Sequence, residues 1–217
     1  MALTYPLSLP NFLERLRRAE TTFEIDAAVS TDETGGGEIY SANYGPQLWY
    51  GTVTTTVATH AQQREAMTRV RLAMTANASF LVTPLEIIGP ADDPIGTILG
   101  ASTPTITAVA ANNRDITISG LPGSYNLREG DYLSFTYGSP IRYAFHQIQN
   151  NRNATVGGVV TLLEVNPPIR VGIALPAAVT LIKPQLKAVM VRSQYQGGAV
   201  RQIVQGGFTF GWRQTLA

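Results

Sequence analysis

The sequence predicts a mainly β protein with one packed α-helix and a small inserted β module, either a barrel or a sandwich. Three observations favour this class. Apolar and polar residues alternate with period two over most of the chain, which is the pattern of half-buried strands. Glycine and proline interrupt the pattern at short intervals. Helical periodicity occurs in one segment only.

The first strands of the chain are predicted from residue type. Residues 21–30 (TTFEIDAAVS) form a plausible strand, and residues 35–37, three glycines, indicate a flexible loop behind it. Residues 48–59 (LWYGTVTTTVAT) are rich in aromatic and β-branched side chains, which pack well on a pleated sheet. We therefore expect a long strand there.

Residues 58–78 predict the single helix. Thr59 is a suitable N-cap residue. Apolar residues then recur at spacings of three and four, and the expected core side chains are Ala66, Met67, Val70, Ala73 and Met74. The side chains expected away from that apolar stripe are Gln63, Arg64, Arg69 and Arg71.

A stretch broken by prolines and glycines (IIGPADDPIG) follows a short apolar strand and predicts a domain boundary. Beyond it, residues 103–122 predict a hairpin that turns at 111–114, and residues 127–149 predict a second hairpin that turns at 137–140. Regular spacing of short strands is typical of a small barrel or sandwich.

The last segment again predicts strands like those that precede the boundary. The first domain is therefore expected to be discontinuous, with the β module inserted into it. We assign residues 1–91 and 184–217 to this domain, and residues 92–183 to the inserted β module.

Composition limits the classes of function. Charged residues make up 14% of the chain and the formal net charge is +1, so no global field attracts nucleic acid, and sequence-specific nucleic-acid binding is not expected. Cysteine is absent, which excludes disulfides and thiolate chemistry. The chain contains no run of 18 apolar residues that would predict a membrane span, and no signal peptide is recognisable, so we expect a soluble, unsecreted chain.

Residues for catalysis are sparse. The two histidines, His60 and His146, lie far apart in the sequence, and no nucleophile elbow, zinc-protease motif or phosphate-binding loop occurs. A glycan hydrolase would need a pair of carboxylates, and the candidates are Asp92, Asp93, Asp131 and Glu164. Each of them fits turn or strand chemistry better. We predict no enzyme activity, no cofactor and no metal.

Two groups of motifs together resemble a known family. The first is W-Y-G-T-V from Trp49, then a helix with R-E-A-M, then S-F-L-V-T-P-L. The second is L-R-E-G-D-Y-L-S-F at residues 127–135, a G-G-V-V-T-L-L-E-V strand, N-P-P-I-R at 166–170, and K-P-Q-L-K-A-V-M-V. In this order, over roughly residues 45–217, they resemble the distal tail proteins of long-tailed bacteriophages and related phage-like particles.

The resemblance implies a tail-tube-like β-sandwich with one helix that assembles as a homohexameric ring. Such a ring joins the tail tube protein to the baseplate hub protein at the tail tip of the virion, and the resemblance implies that its subunits are made in the host cytoplasm. The 24 threonines and the low charge suit extensive contact between copies, because charged residues are depleted from interface cores. The implied role is therefore structural.

The residues expected to matter for this role are architectural. Trp49 and Tyr50 are expected to pack the sandwich, and three helix residues are expected to fix the helix to it: Met67, Val70 and Met74. Turns and strand ends of the module are assigned to Gly130, Asp131, Pro167 and Pro168. Residues 31–46 form a candidate loop for contact between subunits, because this segment is long, contains glycine and carries three possible inter-subunit residues: Ile39, Tyr40 and Tyr44.

Two alternatives stay open at this point. The inserted module could bind carbohydrate or a receptor, such as a host surface glycan, with four tyrosines as stacking candidates: Tyr125, Tyr132, Tyr137 and Tyr143. The second alternative is a glycan hydrolase that uses two of the four carboxylates, and removal of Asp131 and Glu164 would test it. Ring order and the face that meets the tube are not encoded in any motif.

Overall fold

A computed structural model describes residues 4–85 and 87–216. Strand is the dominant element and one α-helix is present among these residues, so the predicted mainly β class with one helix and a small barrel is confirmed. The chain divides into two compact units. The first comprises Met1–Phe80 and Ala188–Thr215, and the second comprises Leu81–Lys187 and Leu216–Ala217.

The first part of the chain contains two short 3-10 turns, Leu9–Asn11 and Leu13–Arg15, and then strands and the helix. These elements are β1 Arg18–Thr21, β2 Glu24–Asp26, β3 Val29–Glu33, β4 Ile39–Asn43, β5 Leu48–Thr55, β6 Ala58–Thr59, α1 His60–Ala73 and β7 Phe80–Val82. The middle of the chain contains β8 Thr105–Val109, β9 Asp115–Ser119, β10 Asn126–Leu127, β11 Tyr132–Tyr137, β12 Arg142–Ile148, β13 Arg152–Asn153, β14 Val160–Asn166 and β15 Ala177–Thr180. The chain ends with β16 Leu186–Gln196, β17 Val204–Gln205 and β18 Thr209–Gln214.

The main sheet has the order β1-β5-β18-β16-β7, with β2 also paired to β5. Its central antiparallel pair places Thr209 opposite Thr54 and Trp212 opposite Gly51. Gly51 is required there because a Cβ at this position would collide with the carbonyl of Thr22 and with the Trp212 ring. The glycine of the W-Y-G-T-V motif is therefore explained by close packing.

The predicted strand over residues 21–30 is wrong. The structure breaks this segment into β1, β2 and β3. Ala28 has a φ of 48°, a left-handed conformation that ends the extended chain, and its backbone N–H binds the Asp26 carboxylate at 3.0 Å. The predicted strand over 48–59 is likewise divided, into β5 and β6.

An aromatic core fills the first unit. Its fully buried rings are Phe12, Trp49, Phe80, Phe208, Phe210 and Trp212. The centroids of Phe12 and Phe80 are 4.6 Å apart, a distance at which tilted rings attract one another. Threonine hydroxyls extend the strand pairing, as between Thr54 and Thr209, whose Oγ1 atoms are 3.1 Å apart. The threonine-rich composition therefore stabilises cross-strand contacts within this unit.

Helix α1 begins where the sequence predicts, although Thr59 makes no side-chain capping hydrogen bond. Ala66, Val70 and Ala73 are buried as expected. Gln63 was expected away from the apolar stripe, but it is also buried. Its Nε2 donates to the carbonyl of Gly206 at 2.9 Å, and this hydrogen bond compensates the burial of the amide.

The second unit contains a closed six-stranded barrel in the order β11-β12-β14-β9-β8-β15. Both predicted hairpins are present: β8 pairs with β9, and β11 pairs with β12. The pairing of β15 with β11 closes the barrel. Its core is mainly aliphatic, with fully buried residues such as Ile106, Ile118 and Leu163, and it also contains aromatic rings.

Candidate assembly surface

A two-stranded hairpin in the first unit is exposed on both faces. We call residues 29–44 the arm. Strands β3 and β4 pair in continuous antiparallel register, and all ten of their residues are exposed. The exposed fractions are 71% for Ile39, 60% for Tyr40 and 72% for Tyr44. The arm therefore presents backbone edges and apolar side chains to solvent, although an isolated two-stranded hairpin has little intrinsic stability in water.

The predicted contact loop over residues 31–46 is therefore not a loop, since most of it lies in the arm. The three glycines form the tip, where Gly37 adopts a φ of 83°. Thr34 closes this tip: its backbone N–H donates to the Glu38 carbonyl at 2.9 Å, and its hydroxyl accepts from the Glu38 N–H at 3.2 Å.

The two faces of the arm differ in chemistry. Register places Asp32 opposite Tyr40, and the Tyr40 hydroxyl donates to the Glu38 carboxylate at 2.8 Å. Asp32, Glu38 and Tyr40 therefore share one face, which we call the acidic face. Glu33 lies opposite Ile39 on the other face. Neither lysine nor arginine occurs between Arg18 and Arg64, so the arm has no cation of its own.

The outer face of helix α1 has the opposite charge. A shallow groove runs along it, lined mainly by Ala61, Arg64, Thr68, Arg69, Arg71 and Leu72. Glu65 also lines the groove, but it is paired with Arg15 at 2.8 Å. Among residues 4–85 and 87–216, no carboxylate pairs with the three groove arginines, and the buried Nη1 of Arg69 has no hydrogen-bond partner.

The architectural residues of the first unit lie at different depths. Trp49 and Val70 are buried, whereas Met67 and Met74 are half-buried. Tyr50 is 44% exposed and lines a depression beside Trp212.

Two module turns involve the residues singled out by sequence. Gly130 has a φ of 94°. The Asp131 carboxylate accepts the N–H groups of Ala91 and Arg128, both at 2.8 Å. Burial raises the pKa of Asp131, and these two hydrogen bonds oppose the rise. Pro167 and Pro168 follow the last residue of β14 directly, where the ladder ends.

The other three candidate carboxylates for hydrolysis, Asp92, Asp93 and Glu164, also have structural partners. Asp93 is buried and accepts the N–H groups of Ile98 and Leu99 and the hydroxyl of Tyr125. Burial favours its neutral form, but these hydrogen bonds outweigh burial and keep the pKa of Asp93 below its usual value. Asp92 pairs with Arg128 at 2.8 Å, and Glu164 lies 3.7 Å from Arg114.

Three of the four stacking candidates are inaccessible. Tyr125, Tyr132 and Tyr137 are buried in the barrel unit, and the Tyr132 ring stacks on Phe145 with centroids 5.1 Å apart. Only Tyr143 is partly exposed. A sugar therefore cannot stack on the three buried rings.

His146 is fully buried in the barrel unit. Its ring stacks on Phe135, and its Nδ1 lies 2.6 Å from the carbonyl of Pro167, which accepts the Nδ1 proton of the neutral ring. Nε2 is buried without a partner in the part of the chain that the structure describes. Burial lowers the pKa of His146 to about 4, so the ring is neutral near pH 7.

Sequence reasoning missed the acidic face of the arm and the arginines of the groove. A usable signal was present: six carboxylates and no lysine or arginine lie in residues 19–63, and three arginines with one glutamate follow in the helix. The net charge of +1 does not reveal this segregation, because the negative and positive segments cancel in the sum.

No family model matches the chain, and no curated protein matches it in sequence. Within the described residues, no helix combines the length and the hydrophobicity needed to cross a bilayer. The same residues contain no group of three or more histidine, aspartate or glutamate side chains arranged to hold a metal ion.

Proposed function

We propose that this protein is a structural subunit of a phage-type tail, and that copies of it form a ring, hexameric by resemblance, between the tail tube and the baseplate hub. The exposed arm is the observation that carries the self-assembly part of the proposal. A subunit that contacts two neighbours through different surfaces closes into a ring when its rotation permits. A hairpin that is exposed on both faces is suited to one of these contacts.

The tail-tip part of the proposal depends on the ordered motifs from Trp49 to the K-P-Q-L-K-A-V-M-V segment. The division into a sheet unit with one helix and a separate barrel agrees with the architecture that the resemblance implies. Low charge and many threonines fit a subunit that is largely covered in an assembly. The proposal assigns no reaction to the four candidate carboxylates, because each of these four has a structural partner.

Carbohydrate binding by the barrel receives less support. Burial of Tyr125, Tyr132 and Tyr137 removes three of its four stacking candidates. If the barrel binds glycans, a glycan array probed with the wild-type chain and with Tyr143→Ala will show binding that the substitution removes.

Electron microscopy of the native particle tests the proposed function. We expect an antibody against this chain to label one end of the tail, and end views to show several copies around the axis. A label on the head or along the whole tail, or single copies without rotational neighbours, would contradict the proposal. A second antibody, against the tail tube protein, provides the control for particle integrity.

A further inference from the structure

We propose that the acidic face of the arm docks on the arginine groove of helix α1 in a neighbouring copy of the chain. This inference depends on the proposed function only because it requires copies to associate. It adds the identity of the two surfaces that meet and the electrostatic reason for their pairing.

Charge complementarity is the first argument. Asp32 and Glu38 carry negative charge on the acidic face, and no described cation pairs with them. Arg64, Arg69 and Arg71 carry the uncompensated positive charge of the groove, because Glu65 is already paired with Arg15. Opposite potentials on two surfaces steer association and fix its register.

The dimensions of the two surfaces also fit. Arg64 and Arg71 lie two helical turns apart, about 10 Å along the axis. Asp32 and Glu38 are diagonal neighbours across the hairpin, roughly 7 Å apart, and flexible arginine side chains span the difference. Tyr40 lies directly opposite Asp32 and is hydrogen-bonded to Glu38, so its ring is beside both carboxylates, where an arginine guanidinium can stack on it.

Docking must occur between copies. The strands of the arm are exposed, and so are Arg64 and Arg71, so the arm does not occupy the groove of its own chain. Because the arm and the groove are different surfaces, each copy places its arm on one neighbour and binds the arm of the other neighbour in its groove. Such a heterologous contact extends from copy to copy and closes into a ring when the rotation allows.

Charge reversal with matched controls tests this inference on the full-length chain. Glu38→Lys reverses a charge on the acidic face, and Glu33→Lys makes the same change on the opposite face of the same arm. Arg64→Glu reverses a groove charge, and Arg192→Glu makes the same change at an exposed position of β16. Sedimentation velocity over a concentration series measures association, and circular dichroism verifies folding.

We expect Glu38→Lys and Arg64→Glu each to weaken self-association roughly tenfold or more, because like charges then face each other. The two controls should associate as the wild type does. An equimolar mixture of Glu38→Lys and Arg64→Glu should associate again, since the new lysine then faces the new glutamate. High salt should weaken wild-type association.

Two results would overturn the inference. If the wild type associates and all four variants do so equally, the docking surfaces are wrong while a ring remains possible. If the wild type stays monomeric at the highest soluble concentration, docking through these charges is refuted, and labelling of the native particle decides the proposed function separately. Association with an unrelated acidic protein but not with itself would also refute it.

Discussion

The two units of the chain differ in how completely the edges of their β-strands are paired. In the barrel, each of the six strands pairs on both sides, so no edge is left open. In the first unit, the main sheet has end strands, and the arm is paired only with itself. Exposed strand edges therefore belong to the first unit, and the contact between copies that we propose is expected there and not at the barrel.

The largest expected effect concerns the core of the first unit. Phe210→Ala should destabilise this unit by about 3–5 kcal/mol, because a fully buried ring is replaced by a cavity. Both tryptophans, Trp49 and Trp212, lie in this unit, so their fluorescence during urea unfolding reports its stability.

Ile118→Ala is the matched change in the barrel core. It should lower the stability of the barrel, measured by amide hydrogen exchange, and leave the tryptophan transition nearly unchanged. Equal shifts of the tryptophan transition in both variants would contradict this expectation, because they would show that the two units unfold as one.

His146 should make the barrel sensitive to acid. The pKa of this histidine is about 4 in the folded chain and about 6.5 when unfolded, so the unfolded state binds more protons between these values. The contribution of His146 to the free energy of unfolding is therefore complete above pH 6.5. It declines as the pH falls towards 4, by about 3 kcal/mol in total. Hydrogen exchange of the barrel strands at pH 7 and pH 4 measures the loss.

His146→Phe provides the control for that prediction. The substitution retains an aromatic ring beside Phe135 and removes the titrating group, so the variant should lose less stability on acidification than the wild type. Identical pH profiles for the two proteins would mean that His146 is not the responsible group.

Asp93 should contribute a smaller effect within the same unit. Asp93→Ala leaves the N–H groups of Ile98 and Leu99 without their acceptor, and we expect a loss of about 2 kcal/mol. Asp92→Ala removes a more exposed ion pair with Arg128 and should cost less. Thermal unfolding of the two variants checks this order, and a larger loss for Asp92→Ala would contradict the structural role given to Asp93.

The barrel was predictable from sequence because turn chemistry marks it. In the first hairpin, the Asn112 amide binds Asp115 and its carbonyl accepts the N–H of Arg114, and this local pattern is legible in A-N-N-R-D. Strands with one buried face also show period two. Pro167 and Pro168 follow the end of β14, as predicted from the absence of a backbone N–H that could extend the ladder.

The arm could not be predicted in the same way. Period two reports the difference between a buried and a solvated face, and both faces of the arm are exposed, so the signal vanishes. The three glycines then suggested a loop. The burial of Gln63 is not visible in the sequence for another reason, because it depends on the carbonyl of Gly206, which is 143 residues away in sequence. Likewise, only the strand register of the hairpin shows that Asp32 and Glu38 lie on the same face.

The absence of cysteine allows the most direct measurement of the central claim, that copies of the chain contact one another through the arm. Ala42→Cys lies on the acidic face of the arm and Thr68→Cys lies in the groove, whereas Ser41→Cys lies on the opposite face of the arm. Mass photometry of the oxidised Ala42→Cys/Thr68→Cys protein should show covalent species of several copies that reducing agent dissociates. The Ser41→Cys/Thr68→Cys control should give far fewer. Equal cross-linking in both proteins, or only monomers in the first, would contradict the account.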